Sequence, residues 1–147
     1  MSPVGRFHFS LETVLKVRGL REEQAKAEVA RAQPELEKSR RALMESQELR
    51  TRLLADLQGG NKEWTPHEFN IFKSYLEHLK TAVEGCKQRI VEQEAEVQEK
   101  KEIVKQRYQE RRLLEQVRRK HYAIYRRELM KDMEKETEAI VLGRWKL

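Results

Sequence analysis

Apolar residues recur along the chain at alternating steps of four and three. From Leu11 the series runs Leu15, Arg18, Glu22, Ala25, Val29, Ala32, Leu36, Ser39, Leu43, Ser46, Arg50, Leu53 and Leu57, with nine of the fourteen positions apolar. Such spacing keeps one side of an α-helix on a heptad seam, and the polar interruptions make this seam imperfect. A second series, Phe69, Phe72, Leu76, Leu79, Val83, Cys86 and Ile90, keeps the same steps without a miss, and Val97 and Val104 extend it. Beyond about Leu114 the stripe loses definition. Val117, Ile124, Tyr125, Leu129, Met130, Met133, Ile140 and Val141 do not share one narrow face, yet nothing before Gly143 should stop a helix.

Punctuation between the two series is sharp. Gly59-Gly60-Asn61 suits a helix end, because glycine takes the left-handed position that closes one. In Trp64-Thr65-Pro66-His67-Glu68, Thr65 reads as an N-cap, Pro66 as the first helical residue and Glu68 as the other half of a capping box. At the amino end Ser10 reads as an N-cap, with Phe9 stapled onto Val14. The expected elements are a helix over about residues 10–58, a loop over 59–65 and a helix over 66–142, within a single coiled-coil domain spanning 1–147. Pro34 lacks the amide that would bond the Ala30 carbonyl, at a cost of about 3 kcal/mol unless the helix bends, and this predicts a kink. Gly19 and Gly85 cost roughly 1 kcal/mol each inside helices. They read as simple tolerance or close helix approach, against a functional hinge.

The expected fold class is therefore all-α: a long antiparallel two-helix coiled-coil hairpin with the second helix longer than the first. Composition agrees, since charged residues reach 38% of the 147-residue chain and equal the hydrophobic share, which suits a thin apolar stripe better than a globular core. At 1.5 Å per residue the two helices would measure about 70 and 115 Å. With the loop centred near residue 62, position i faces roughly position 124 minus i. Leu11 is then expected beside Leu113, and α-helix beyond Leu114 has no mate.

Charge concentrates where the mate runs out. Lys105 to Lys131 holds ten Lys or Arg against Glu110, Glu115 and Glu128, while the whole chain carries only +6. Basicity thus belongs to one segment, with Arg111-Arg112, Arg118-Arg119-Lys120 and Arg126-Arg127 interleaved by Tyr108, His121, Tyr122 and Tyr125. Three readings stay open: a protein partner with an acidic or apolar groove, a solvated extension, or nucleic acid bound through phosphate neutralisation and tyrosine stacking. Near the loop, Ile71, Tyr75 and Ala82 widen the second seam on one flank, which reads either as a docking face or as a flank covered by the first helix. Trp64 is either a plug for the hairpin or an exposed anchor.

Catalytic signatures are missing from the residue pattern. His8, His67, His78 and His121 are scattered, without the spacing of a zinc site, and no glycine-rich phosphate cradle occurs. The expectation is a non-enzymatic protein with no cofactor, no metal and no small-molecule substrate. Cys86 stands alone, no stretch approaches the roughly 20 apolar residues of a membrane span, and Met1 to Leu11 lacks a signal-peptide core. A cytoplasmic protein is expected.

The opening Phe7-His8-Phe9-Ser10-Leu11-Glu12-Thr13-Val14-Leu15-Lys16-Val17-Arg18, followed by Arg21-Glu22-Glu23-Gln24-Ala25-Lys26-Ala27-Glu28, resembles the start of the bacterial flagellar export protein family FliJ. The short polar hairpin, the aromatic helix start from Trp64 to Leu79, and Tyr122, Tyr125, Arg126 and Arg127 in a basic carboxy-terminal helix are similar to that family as well. An Asp-Glu pair usual near the end of the pattern is Thr137-Glu138 here. The resemblance implies a stalk of the type III export apparatus, similar in shape to the γ subunit of rotary ATPases. It implies three partners: the hexameric flagellar export ATPase, the cytoplasmic domain of the export gate, and export chaperones. On that basis Arg118, Arg119, Tyr122, Tyr125, Arg126 and Arg127 are expected to face the ATPase ring, and Phe72, Tyr75, Leu79 and Ala82 the gate, with the protein peripheral at the inner face of the cell membrane. A stalk of a virulence secretion system and a basic coiled coil that binds nucleic acid remain the alternatives.

Overall fold

The structure, a computed structural model, describes residues 5–60 and 63–145. They form two helices, α1 (Glu12–Gln58, 47 residues) and α2 (Pro66–Trp145, 80 residues), and no strand occurs among the described residues. The helices pack against each other as an antiparallel hairpin, the expected all-α class with α2 the longer.

Local chemistry accounts for the ends. The Gly59 amide donates to the Ala55 carbonyl at 2.8 Å, and Gly60 then turns left-handed with φ 66°, ending α1; Asn61 lies outside the described residues. Thr65 and Glu68 form the reciprocal capping box, with the Glu68 amide donating to Thr65 Oγ1 at 3.2 Å and the Thr65 amide to Glu68 Oε2 at 3.5 Å. The start of α1 differs from the reading of Ser10 as cap. The Glu12 amide bonds the Phe9 carbonyl at 3.1 Å, so a backbone turn opens the helix. Nor does Phe9 staple onto Val14: Phe9 is buried against His121 of α2, and Val14 is exposed. Burying a whole phenyl group against the other helix removes more apolar surface than an intrahelical staple would. At the far end α2 passes through Gly143 to Trp145, with Arg144 in the last turn beside the negative end of the helix dipole. α1 likewise continues through Pro34.

By contacts the chain divides into two compact units, Ala25–Ile103 and the pair Met1–Gln24 with Val104–Leu147. In the Ala25–Ile103 unit the heptad positions are the covered ones. Leu36, Ile90 and Val97 form a buried cluster flanked by Ala32 and Leu43, and Leu79 and Val83 are buried nearer the turn. The polar seam residues Ser39, Ser46 and Arg50 are half-buried, so the interruptions lie inside the seam. Trp64 is half-buried and packs against Phe72 in a tilted arrangement with ring centroids 5.0 Å apart, which makes it the plug of the turn. Arg40 bonds Glu94 at 3.1 Å, where the simple count from the loop placed Glu84 opposite it.

In the other unit Phe9, Glu22 and Leu114 are buried. Arg111 bonds Glu22 through Nε and Glu115 through Nη1, the latter at 2.6 Å, and Arg18 Nη1 donates to the Glu110 carbonyl at 2.9 Å. Arg118 Nε donates to Glu12 at 2.8 Å. The expectation that α2 is unaccompanied beyond Leu114 is therefore corrected. The described residues before α1 follow α2 in a non-helical conformation, which advances further per residue than a helix, and Phe7 among them reaches Tyr125.

Candidate functional site

The basic segment of α2 sorts into engaged and open residues. Phe7 packs edge-on against Tyr122 with centroids 5.1 Å apart and against Tyr125 at 5.5 Å, and the two tyrosine rings stack at 6.2 Å. The Arg118 guanidinium lies 5.4 Å from the Phe7 centroid while it bonds Glu12. Arg118 and Tyr125 are thus half-buried parts of the hairpin, and of the six residues expected at the ATPase ring they are the two least available to a partner. Tyr122 keeps 43% of its surface, and Arg119, Arg126 and Arg127 are exposed. None of these three arginines has an ion-pair partner among the described residues.

Helical spacing places Arg119, Tyr122 and Arg126 on one face, with Arg127 at its edge. The same face continues through Met130, Met133 and Ile140, which are 54%, 55% and 59% exposed. Cations without counter-ions, set beside apolar side chains, form a surface able to take an acidic and apolar partner.

The four residues expected at the gate do not share a surface. Leu79 is buried and Phe72 is half-buried under Trp64, since both are seam positions. Tyr75 and Ala82 point outward and are joined there by Ile71, which is 58% exposed. Phe72 and Leu79, both expected at the gate, are side chains that close the hairpin, Leu79 buried and Phe72 half-buried. The uncovered flank is Ile71, Tyr75 and Ala82.

One feature has no sequence signal beyond Pro34. A surface groove of about 790 Å³ opens beside it, with Leu36 and Val97 at its apolar floor and Arg40, Arg41 and Lys101 on its walls. The raised pKa values belong to cations held by carboxylate partners. The hydrogen bond to Glu22 holds Arg111 above its usual value, that to Glu94 does so for Arg40, and that to Glu96 for Lys100. Among the described residues no group of three or more His, Cys, Asp or Glu is placed to hold a metal ion, and no helix is long and apolar enough to cross a membrane.

These features define a class: an antiparallel coiled-coil hairpin whose exposed chemistry lies on helix faces and not in an enclosed pocket. The family model described as flagellar FliJ protein matches residues 7–138, and the chain belongs to that family. Membership carries a role connected with flagellar protein export, as a non-catalytic component. No curated protein and no solved structure matches the chain.

Proposed function

We propose that this chain is a stalk of the flagellar type III export apparatus, which binds the export ATPase hexamer, promotes its assembly and links it to the export gate and to chaperones. The observation that carries the reading is the set Arg119, Arg126 and Arg127, exposed beside Tyr122 and without ion-pair partners among the described residues, in a chain of the FliJ family. A ligand that binds an assembled ring more tightly than separate subunits shifts assembly toward the ring by that difference in affinity. Hydrolysis then belongs to the ATPase, and the stalk works at the cytoplasmic face of the membrane, at the flagellar base. The gate surface is assigned to Ile71, Tyr75 and Ala82.

The test is stimulation of the purified ATPase by the variant Arg119→Glu, Arg126→Glu, Arg127→Glu. Arg118 is left intact, because its replacement would break the bond to Glu12 and confuse folding with binding. Stimulation should fall severalfold, with a salt dependence weaker than that of the wild type. Full stimulation by a folded triple variant would rule out this surface, and wild-type retention on nucleic acid with a steep salt slope, lost in the variant, would favour the nucleic-acid alternative.

A further inference from the structure

We propose that the outer face of α2 around Met130 and Met133 is a self-association surface, on which a second copy of this chain docks antiparallel. Met130, Met133, Ile140 and Val141 are all about half exposed or more, on a helix segment from Arg126 to Trp145 in which every residue but Leu129 and Asp132 is exposed. A solitary helix of about 20 residues is marginal in water, so a face of this kind gains from a mate.

Charge identifies the mate. Arg127 and Lys131 lie along one flank of that face, and Glu134 and Glu138 continue the same flank. None of the four makes an ion pair within the chain among the described residues. Turning a second copy antiparallel, with Met130 against Met133, brings Arg127 opposite the partner copy's Glu134 and Glu138, and Lys131 opposite its Glu134. Two-fold symmetry repeats the contacts, and Ala123 meets Ile140 in the same register. A parallel mate would turn this flank toward the opposite side of the partner copy's helix, so these four charges would not meet one another. This inference goes beyond the stalk reading, since it requires no ATPase, and it would hide Arg126 and Met133 from any other partner.

The experiment is sedimentation of the full chain over a range of concentrations at low and high salt. The wild type should dimerise, more weakly at high salt. Arg127→Glu with Lys131→Glu should weaken self-association roughly tenfold or more, and so should Glu134→Lys with Glu138→Lys, each with helicity preserved. An equimolar mixture of these two double variants should dimerise again, because every flank contact is then between opposite charges. A wild type that is monomeric up to about 100 μM overturns the proposal. So does dimerisation of the double variants at wild-type strength, or a mixture that stays monomeric. If Met130 becomes protected from oxidation only when the export ATPase is added to a monomeric chain, the face belongs to the ATPase and the proposal fails.

Discussion

Arg118 donates through Nε to the Glu12 carboxylate at 2.8 Å while its guanidinium covers Phe7. One side chain of α2 thereby fastens both the first turn of α1 and the non-helical residues ahead of it. The aromatic contacts of Phe7 and Phe9 with His121, Tyr122 and Tyr125 form around this anchor.

Phe9 is the most buried side chain of that contact, so Phe9→Ala should destabilise the unit by about 3 kcal/mol, near the low end for a buried phenylalanine because His121 stays half open to solvent. Thermal unfolding followed by circular dichroism measures the loss.

Glycine substitutions should separate by sign. A Cβ added at Gly19 or Gly85 meets nothing within 4 Å, which excludes close helix approach as their purpose. Gly19→Ala and Gly85→Ala should each stabilise the protein by about 0.5–1 kcal/mol. Gly60 is left-handed, so Gly60→Ala should cost about 1 kcal/mol. Denaturation midpoints of the three variants decide the matter; a loss of ATPase stimulation in stabilised Gly19→Ala would revive the hinge reading.

Glu22 is a buried carboxylate at a heptad position, bonded by Arg111. Glu22→Ala should cost about 2–3 kcal/mol by leaving a hole and stripping Arg111 of one partner. Glu22→Leu should cost less, about 1 kcal/mol or under, because leucine fills the seam and Arg111 keeps Glu115. Urea titrations of both variants test the ordering.

Lys100 titrates above its ordinary 10.5 because of its hydrogen bond to Glu96 and its attraction to Glu28. Its folded value is raised, so the stabilisation is complete below pH 10.5 and disappears as pH rises through the higher folded value. The thermal midpoint difference between wild type and Lys100→Gln should stay constant from about pH 7 to 10 and shrink above that range.

For the gate surface, Tyr75→Asp with Ala82→Asp should reduce capture by the gate's cytoplasmic domain without changing helicity, since both side chains face outward. Leu79→Asp should instead unfold part of the hairpin, because Leu79 is buried. Equal gate capture by the Tyr75 and Ala82 double variant would remove that flank from the assignment.

Helical spacing disclosed the seam down to its polar members: Arg18, Glu22, Ser39, Ser46 and Arg50 are all at least half covered. Phe72 and Leu79 also follow their seam membership, since a residue is committed to one face of its helix, and both lie at least half covered. Register was less legible, as the Arg40 and Glu94 pair shows, because a repeating pattern of near-equivalent apolar positions does not fix which turn faces which. The cover over Tyr125 was hidden for a related reason. Phe7 precedes α1 and has no helical phase, so only a folded backbone reveals which rings it meets.

Glu22 has one further consequence, for alignment. The apolar members of the two seams are near-equivalent, and alanine or leucine would pack about as well one heptad out of step. Sliding the helices by seven residues in one direction would set the Glu22 carboxylate against Val104 and strand it there in an apolar site, a penalty that the correct alignment avoids. A zipper made of weak, interchangeable contacts thus acquires a stop against slipping in that direction from a charge that a stronger core would have omitted.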